Sequence, residues 1–247
     1  MSHYNEIEGL PISLISERVK FNTPNGPVSA ATMAEAKKTG TTTVGIIGKD
    51  FVVLAADQQA TMGHMAADDD AQKIYNITDK VSLTISGAVG DSLAVIRFLR
   101  AQANLYEIER ETKITPKAVT TLLSNVLNGN RYYPFIFAPI IGGVNSQPEL
   151  YELTPYGCIS PKTKYAVTGS GTTFAITTLD SEFKFNMKED EAIALAIKAI
   201  VASKNRDIYS GGKSISMVII NQNGTRIVPL EKIEEIISKV KLNFTKK

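Results

Sequence analysis

The order of strand-like and helix-like segments is the feature that most limits the fold of this chain. Beyond residue 40, β-branched and apolar runs come in groups, and segments with helical periodicity follow in groups of their own. A doubly wound parallel sheet would alternate the two kinds of element throughout. The grouping therefore excludes that fold and favours an α+β protein. We expect two antiparallel sheets covered by helices on both outer faces, in a four-layer αββα sandwich.

The predicted elements form two successive groups that each begin with strands followed by helices, and the second group ends with a further hairpin and a last helix. Thr115 can cap a helix that has Pro116 in its first turn, and Asn223-Gly224 is a favoured hairpin turn. The predicted strands are 41–47, 51–56, 74–76 and 81–86 in the first group, and 135–144, 149–154, a short strand before Gly169, 214–220 and 226–228 in the second. The predicted helices are 91–111, 115–129, 173–182, 188–204 and 231–241.

Residues 1–40 differ in character from the rest of the chain. They mix prolines and glycine with a small, Ala-rich stretch, which is typical of an appendage. Their longest apolar run, Leu10 to Ile15, is short and contains Pro11 and Ser13, so it is not an export signal. No run in the chain approaches the roughly 18 apolar residues that indicate a membrane span. We therefore expect one folded domain at 41–247.

The charge and cysteine content argue against several kinds of partner. Lys and Arg number 27 against 25 Asp and Glu, and this net charge of +2 indicates neither a nucleic acid nor a membrane surface. The single cysteine, Cys158, has no partner for an internal disulfide, and with His3 and His64 it does not make a usual zinc site. We predict a cytoplasmic protein that uses no metal and no cofactor.

Three successive threonines, Thr41 to Thr43, begin the predicted domain directly after Gly40. Such a run can simply form a strand, because threonine favours strands. Its position allows a second interpretation, in which cleavage before Thr41 leaves a free α-amino group beside the threonine hydroxyl. A hydroxyl is a weak nucleophile that needs a nearby base, and an α-amine with a pKa of about 8 can be that base. The chain would then stay inactive until the Gly40–Thr41 bond is broken.

Several short motifs occur in a fixed order after this junction. They are Thr41-Thr42-Thr43-Val44-Gly45, Ala56-Asp57, Lys73, Ser86-Gly87-Ala88-Val89-Gly90-Asp91, Thr168-Gly169-Ser170-Gly171 and Arg206-Asp207-Ile208-Tyr209-Ser210-Gly211-Gly212. Each is weak alone, but together, between Thr41 and about Lys241, they are specific. In these motifs the chain resembles the β subunits of the proteasome, above all the archaeal ones. The resemblance implies an N-terminal-nucleophile hydrolase fold, with residues 1–40 as a propeptide removed by autocatalytic cleavage between Gly40 and Thr41.

The resemblance also implies a threonine endopeptidase that degrades unfolded polypeptides. Thr41 would be the nucleophile, with the Lys73 ammonium beside its oxygen and the Asp57 carboxylate paired with Lys73. The backbone N–H of Gly87 would donate a hydrogen bond to the oxyanion. The residues that would surround the threonine amine are Ser170, Asp207 and Ser210.

Without the resemblance, the same residues have plain structural interpretations. Asp57 would cap a turn at the end of a strand. Lys73 would be an exposed loop charge after the acidic residues 68–70, and Gly87 would be a turn glycine. Serine and aspartate in glycine-containing loops commonly bond the nearby backbone.

The positions that line the family's side-chain pocket are all apolar in this chain. They are Ala60, Ala71, Ile85 and Val89. The resemblance therefore implies cleavage after large hydrophobic residues, with broad specificity, because an apolar pocket discriminates weakly between apolar side chains. Thr61 would hydrogen-bond the extended backbone of the substrate, as a strand added to a sheet edge does.

The assembly implied by the resemblance is a barrel of four stacked rings. The β subunits would form two seven-membered rings that meet face to face, with a ring of α subunits outside each, in the order α7β7β7α7. An ATP-dependent unfoldase on the α ring would feed unfolded polypeptides to the inner chamber.

Gln58 and Gln59 depart from the pattern, since many relatives carry basic residues directly after the acid of the second strand. Two other functions stay open on the sequence alone. The chain can be a noncatalytic or unprocessed subunit of the same ring, or an N-terminal-nucleophile amidase that acts on small molecules. A chain that begins at Thr41 in assembled particles would favour the peptidase over the first alternative. Trapping of Thr41 by a peptide epoxyketone or boronate would separate it from the second.

Overall fold

A computed structural model describes residues 40–245, with side chains up to residue 240. The expectations for residues 1–39, a propeptide without an export signal, lie outside the described residues. The strands are β1 (Thr42–Ile47), β2 (Val52–Asp57), β3 (Ala60–Met62), β4 (Met65–Asp68), β5 (Ile74–Thr78), β6 (Val81–Thr84), β7 (Ile140–Val144), β8 (Pro148–Leu153), β9 (Ile159–Lys162), β10 (Tyr165–Gly169), β11 (Ile215–Asn221) and β12 (Gly224–Ile227). The helices are α1 (Val89–Arg110), α2 (Pro116–Gly129), α3 (Thr172–Glu182), α4 (Glu189–Lys204) and α5 (Leu230–Thr245).

Two five-stranded sheets are antiparallel throughout. The first has the strand order β10-β1-β2-β11-β12, and the second has the order β5-β6-β7-β8-β9. β3 and β4 pair with each other in a separate hairpin. The predicted turn at Gly48 joins β1 to β2, where the Gly48 N–H donates to the carbonyl of Phe51 at 2.9 Å. The predicted Asn223-Gly224 hairpin joins β11 to β12.

Strand β2 explains how the sequence builds the layers. All six of its residues are buried, so β2 lacks the apolar and polar alternation of a half-exposed strand. Val53 and Ala55 pack with helices α3, α4 and α5, whereas Val52, Leu54 and Ala56 pack against the second sheet. A third cluster lies between the second sheet and helices α1 and α2. The predicted αββα order of layers is therefore confirmed.

Two helices follow directly from local sequence. Thr115 caps α2, since its hydroxyl accepts a hydrogen bond from the Ala118 N–H at 3.1 Å, and Pro116 occupies the first turn as predicted. Helix α4 is apolar over most of its surface because it packs between the first sheet and its two neighbouring helices. In the part of the chain that is described, no helix is both long enough and apolar enough to cross a membrane.

Three predictions of strands were wrong in detail. The segment 135–144 is a strand only from Ile140, because Pro139 has no N–H to donate to a ladder. Ahead of it, Phe137 makes a single bridge with Gly87. The hairpin of β3 and β4 was missed because its residues are small or exposed and show no hydrophobic period. One short strand was expected before Gly169, whereas the structure has two, β9 and β10.

Candidate active site

Strand β1 brings distant chain segments to one place. Thr41 directly precedes β1, which lies between β10 and β2 as an antiparallel neighbour of both, with Thr42 paired to Gly169. Because antiparallel strands run in opposite directions, the start of β1 lies beside the ends of β2 and β10. Asp57 ends β2, and Ser170 directly follows β10. The topology therefore places Asp57 and Ser170 on either side of Thr41.

The side chains of Thr41, Asp57 and Lys73 form a buried cluster. The Lys73 Nζ lies 2.8 Å from Asp57 Oδ1 and also donates a close hydrogen bond to Thr41 Oγ1. Thr41 Oγ1 donates to Asp57 Oδ1 at 3.0 Å. The exposed fractions are 3% for Thr41, 0% for Asp57 and 5% for Lys73. The structure thus joins three residues that are 16 to 32 positions apart in the sequence.

The surroundings of Lys73 make its proton easier to lose than that of an exposed lysine. Burial lowers the pKa of Lys73 from its ordinary value of 10.5, because the ammonium is removed from water. The charge and hydrogen bond of Asp57, and the charge of Asp207, oppose this lowering. An amine with a lowered pKa can accept and return a proton closer to neutral pH, as a general base must.

Both carboxylate oxygens of Asp57 are held in place. Its Oδ1 accepts the Thr42 N–H at 2.8 Å in addition to the Lys73 ammonium. Its Oδ2 accepts the N–H groups of Gly211 at 2.9 Å and of Gln59 at 3.2 Å. A buried charge needs such partners. The carboxylate is therefore fixed in the orientation that pairs it with Lys73.

On the nitrogen side of Thr41, two serines and an aspartate form a second cluster. The Thr41 N–H donates to Ser170 Oγ at 3.1 Å. Ser170 Oγ donates to Asp207 Oδ2 at 2.6 Å, and Ser210 Oγ donates to the same oxygen at 2.6 Å. The residues expected around the threonine amine thus lie within one hydrogen-bonded chain that starts at the Thr41 nitrogen.

The residue before Thr41 fits closely between two neighbouring side chains. Gly40 is buried, and its N–H donates to Thr61 Oγ1 at 2.9 Å. A Cβ on Gly40 would lie 1.7 Å from the Cβ of Tyr209, which no real contact allows. Position 40 therefore requires glycine. Tyr209 has no local sequence signal of this role, because its contact with Gly40 joins positions far apart in the chain.

Gly87 and the expected pocket residues take different positions around this cluster. Gly87 has a φ of +125° that suits glycine, and a Cβ there would lie 2.1 Å from the carbonyl oxygen of Ile136. Ile85 is buried, and its N–H donates to the carbonyl of Lys73 at 2.8 Å. Of the remaining pocket candidates, Val89 is exposed, and three are half-buried, namely Ala60, Thr61 and Ala71. Their common pocket, and the direction of the Gly87 N–H, stay predictions.

Two further threonines have roles that the sequence did not reveal. Thr42 and Thr43 are fully buried. The Thr42 Oγ1 lies 2.7 Å from Ser210 Oγ, which joins it to the cluster on the nitrogen side. The Thr43 Oγ1 lies 2.7 Å from Thr168 Oγ1 and accepts from Thr84 Oγ1 at 3.1 Å, so it links the two sheets. Each threonine of the run therefore makes a different set of hydrogen bonds.

The described part of the chain holds no group of three or more His, Cys, Asp or Glu side chains placed to bind a metal ion. A cleft of about 490 Å³ lies elsewhere, between the end of β5 and the β11–β12 turn. That turn is at the opposite end of the first sheet from Asp57, because Asp57 pairs with the first residue of β11. The cleft therefore lies away from the Thr41 cluster.

Two facing antiparallel sheets between helical layers, with a buried threonine before the first strand, define the N-terminal-nucleophile hydrolase fold. The model of a family described as "Proteasome subunit" matches residues 37–220. The chain belongs to this family, as a proteasome β subunit of the archaeal type. The resemblance found in the sequence motifs is thereby confirmed.

The relatives cover most of the chain. "Proteasome subunit beta" of Methanococcus vannielii is 42% identical over 203 residues, which span 81% of this chain and 92% of the relative. The protein of the same name from Methanocaldococcus fervens is 41% identical over 210 residues, with 84% and 93% covered. "Proteasome subunit beta 2" of Thermococcus onnurineus is 43% identical over 190 residues, with 77% and 94% covered.

Proposed function

We propose that this chain is a catalytic β subunit of the proteasome core particle, a threonine endopeptidase activated by cleavage between Gly40 and Thr41. The observation that carries the proposal is the contact of Lys73 Nζ with both Thr41 Oγ1 and Asp57 Oδ1, in a buried site. A hydroxyl needs a base within hydrogen-bond reach to become a nucleophile. Lys73, with its lowered pKa, is in that position before cleavage.

In maturation, Thr41 Oγ1 attacks the carbonyl carbon of Gly40, and the neutral form of Lys73 takes the hydroxyl proton. The C–N bond between Gly40 and Thr41 then breaks as the nitrogen receives a proton. The product is an ester between Gly40 and Thr41 Oγ1, with the threonine nitrogen released as an amine. Water hydrolyses the ester, which leaves a carboxylate on Gly40 and a free hydroxyl and α-amine on Thr41.

The mature site uses the same parts on a peptide substrate. The α-amine accepts the Thr41 hydroxyl proton as the oxygen attacks the substrate carbonyl, and the backbone N–H of Gly87 stabilises the oxyanion. An acyl-enzyme ester forms, the amine half of the peptide leaves with a proton, and water hydrolyses the ester. Ser170, Asp207 and Ser210 hold the amine in place, since they already form a chain with the Thr41 nitrogen.

The contact of Gly40 with Thr61 supports the proposed mode of substrate binding. Gly40 is the residue whose carbonyl Thr41 attacks, so it occupies the position that a substrate residue takes later. Its N–H is held by Thr61 Oγ1 at 2.9 Å. A substrate backbone would use the same acceptor and place its side chain among the apolar residues Ala60, Ala71, Ile85 and Val89. Cleavage after large hydrophobic residues follows.

As a proteasome β subunit, the chain would act inside stacked rings with α subunits, in the cytoplasm, on unfolded polypeptides that an ATP-dependent unfoldase delivers. The decisive test is intact mass spectrometry of particles assembled with α subunits. We expect the chain to begin at Thr41 and to gain the mass of a hydrophobic peptide epoxyketone, which reacts with both the hydroxyl and the free amine. A full-length, unlabelled chain in assembled particles would instead indicate a noncatalytic ring subunit. Hydrolysis of small amides without hydrolysis of peptides would indicate an amidase.

A matched pair of substitutions separates the roles of adjacent threonines. Thr42→Val should lower kcat for a fluorogenic peptide about threefold to tenfold, because Ser210 loses one hydrogen bond worth about 1 kcal/mol. Thr43→Val should leave kcat within about twofold but lower the free energy of unfolding by about 1–3 kcal/mol, because the buried hydroxyls of Thr84 and Thr168 lose a partner. Equal effects of both changes on kcat would contradict this assignment.

A further inference from the structure

Gln58, which directly follows Asp57 at the end of β2, uses both ends of its carboxamide. Its Oε1 accepts the backbone N–H of Ser214 at 2.8 Å. Its Nε2 donates to Asp70 Oδ1 at 3.0 Å and to Ser216 Oγ at 3.2 Å. The three partners come from two segments that are distant from Gln58 and from each other in the sequence. One side chain therefore links three parts of the chain.

The backbone of Gln58 makes the same link. Its N–H donates to the carbonyl of Gly211 at 3.2 Å, and its carbonyl accepts the N–H of Ala71 at 2.9 Å. Gly212 has a φ of +84°, and a Cβ there would lie 2.6 Å from the carbonyl carbon of Gln58. The segments are thus in direct backbone contact around Gln58, without space for a side chain at position 212.

We propose that Gln58 is a positioning residue for the reaction at Thr41, an inference that rests on the proposed function. Its carboxamide holds two segments, 68–71 and 211–216, against the end of β2. The first segment leads within two residues to Lys73, and the second begins directly after Ser210. Gln58 thereby fixes the distance between the two halves of the candidate site, the Lys73 half and the half on the nitrogen side.

The chemistry of the contacts explains why position 58 carries an amide. Glutamine offers an acceptor for the Ser214 N–H and a donor for Asp70 in one side chain. An ionised glutamate has no donor and would meet the Asp70 carboxylate with a like charge. Lysine or arginine can donate to Asp70 but has no acceptor, so the N–H of Ser214, a residue only 5% exposed, would lose its partner.

Gln59 supports the same arrangement from the neighbouring position. Its N–H donates to Asp57 Oδ2 at 3.2 Å, and its Nε2 donates to the carbonyl of Ile208 at 3.2 Å. Both glutamines are neutral, so neither competes with the Lys73 ammonium for the charge of Asp57. The two glutamines tie the loops together by hydrogen bonds alone.

The first experiment replaces Gln58 in assembled particles and measures hydrolysis of a fluorogenic peptide with a hydrophobic residue at the cleaved bond. Gln58→Glu should lower kcat at least fivefold at pH 8, with KM within about twofold. The loss should shrink toward pH 5, because the introduced carboxyl group regains a proton that it can donate to Asp70. Gln58→Met, which keeps the length but has neither function, should lose activity to the same extent at every pH.

A second change should restore the geometry. In the double variant Gln58→Glu with Asp70→Asn, donor and acceptor are exchanged, so the introduced carboxylate accepts from the new amide and still accepts the Ser214 N–H. We expect it to recover at least half of the lost kcat at pH 8. The matched control is Gln72→Glu, which adds the same charge next to Lys73 in the sequence but removes only a hydrogen bond to the Ile74 carbonyl. Its kcat should stay within about twofold of the parent.

Two results on activity would overturn the proposal. One is a Gln58→Glu effect no larger than that of Gln72→Glu, and the other is a double variant no more active than Gln58→Glu. Amide hydrogen exchange in the same particles gives a readout that does not need activity. The N–H groups of Ser214 and Ala71 should exchange at least tenfold faster in Gln58→Met, which has no acceptor for the Ser214 N–H, than in the parent. If the parent is inactive, the proposed function fails, while unchanged exchange at these two amides would refute the positioning role separately.

Discussion

Thr41→Ala should leave the Gly40–Thr41 bond intact and lower peptide hydrolysis by a factor on the order of 10⁴ or more, since the loss of a catalytic nucleophile has effects of this size. The substitution removes the oxygen that Lys73 and Asp57 contact, but it leaves those two residues and the fold in place. The measurements are the intact mass of the chain in assembled particles and the rate of hydrolysis of a fluorogenic peptide. In Thr41→Ala, the chain should keep its full-length mass and the rate of peptide hydrolysis should fall, so the two measurements should change together.

Thr41→Ser is the informative control for this prediction. It keeps the hydroxyl but removes the methyl group. That methyl group packs closely against Gly169, since a Cβ added to Gly169 would lie 2.8 Å from it. Without the methyl group the hydroxyl can rotate more freely, so we expect cleavage and hydrolysis to continue at a rate lower by about tenfold or less. A Thr41→Ala chain that still begins at residue 41 would show that another agent makes the cut.

Lys73→Met should lower kcat by about 10²–10⁴, the usual contribution of a general acid or base, and the free energy of unfolding by about 3–5 kcal/mol. The stability falls because Asp57, which is 0% exposed, keeps its charge without its cation. In the double variant Lys73→Met with Asp57→Asn, the buried charge is gone as well. The double variant should therefore regain much of the stability lost in Lys73→Met, while kcat stays low. If kcat recovers with stability, the pair is structural rather than catalytic.

The pH dependence of stability gives an independent check on the same pair. Burial lowers the pKa of Lys73, and Asp57 is the main opposing influence. Asp57→Asn should therefore lower the pKa of Lys73 further. Between that lowered pKa and the ordinary value of 10.5, the unfolded chain binds a proton that the folded chain does not. The free energy of unfolding should then rise with pH in this window, more steeply than in the parent.

Denaturant unfolding between pH 6 and pH 10 measures this slope. The double variant with Lys73→Met lacks the titrating amine, so its stability should not show the added rise. An Asp57→Asn variant with the same slope as the parent would mean that Asp57 does not influence the protonation of Lys73.

The layer order could be predicted from the sequence because the strands and helices that build it carry strong signals. β2 is a run of buried residues, and α4 is apolar over most of its surface between its charged ends. The β3–β4 hairpin carries no such signal, because its side chains are small or exposed and show no hydrophobic period. The error at 135–139 has a different cause. The segment is apolar enough for a strand, but Pro139 prevents a continuous ladder.

For the candidate site, less could be predicted from local sequence than for the fold. Asp57 and Lys73 have no local mark of function, since an acid at a strand end and a lysine after three aspartates are ordinary surface features. Their roles were inferred from the family resemblance, and the structure adds the 2.8 Å contact between them. The contacts of Gln58 could not be predicted at all. They join positions 58, 70 and 214, and no periodicity or motif records which distant loops meet.

The run of three threonines raises the question of how cleavage would occur before Thr41 and not before Thr42 or Thr43, because the three residues are chemically identical. Adjacent residues of a strand point to opposite faces, so the hydroxyl of Thr42 meets Ser210, that of Thr43 meets the second sheet, and that of Thr41 meets Lys73. A slip by one residue would have to break the ladders on both sides of β1. Under the proposed maturation, the chain would therefore define its own first residue without any sequence being recognised, and assembled particles should contain one N-terminus, at Thr41, rather than a mixture of ends.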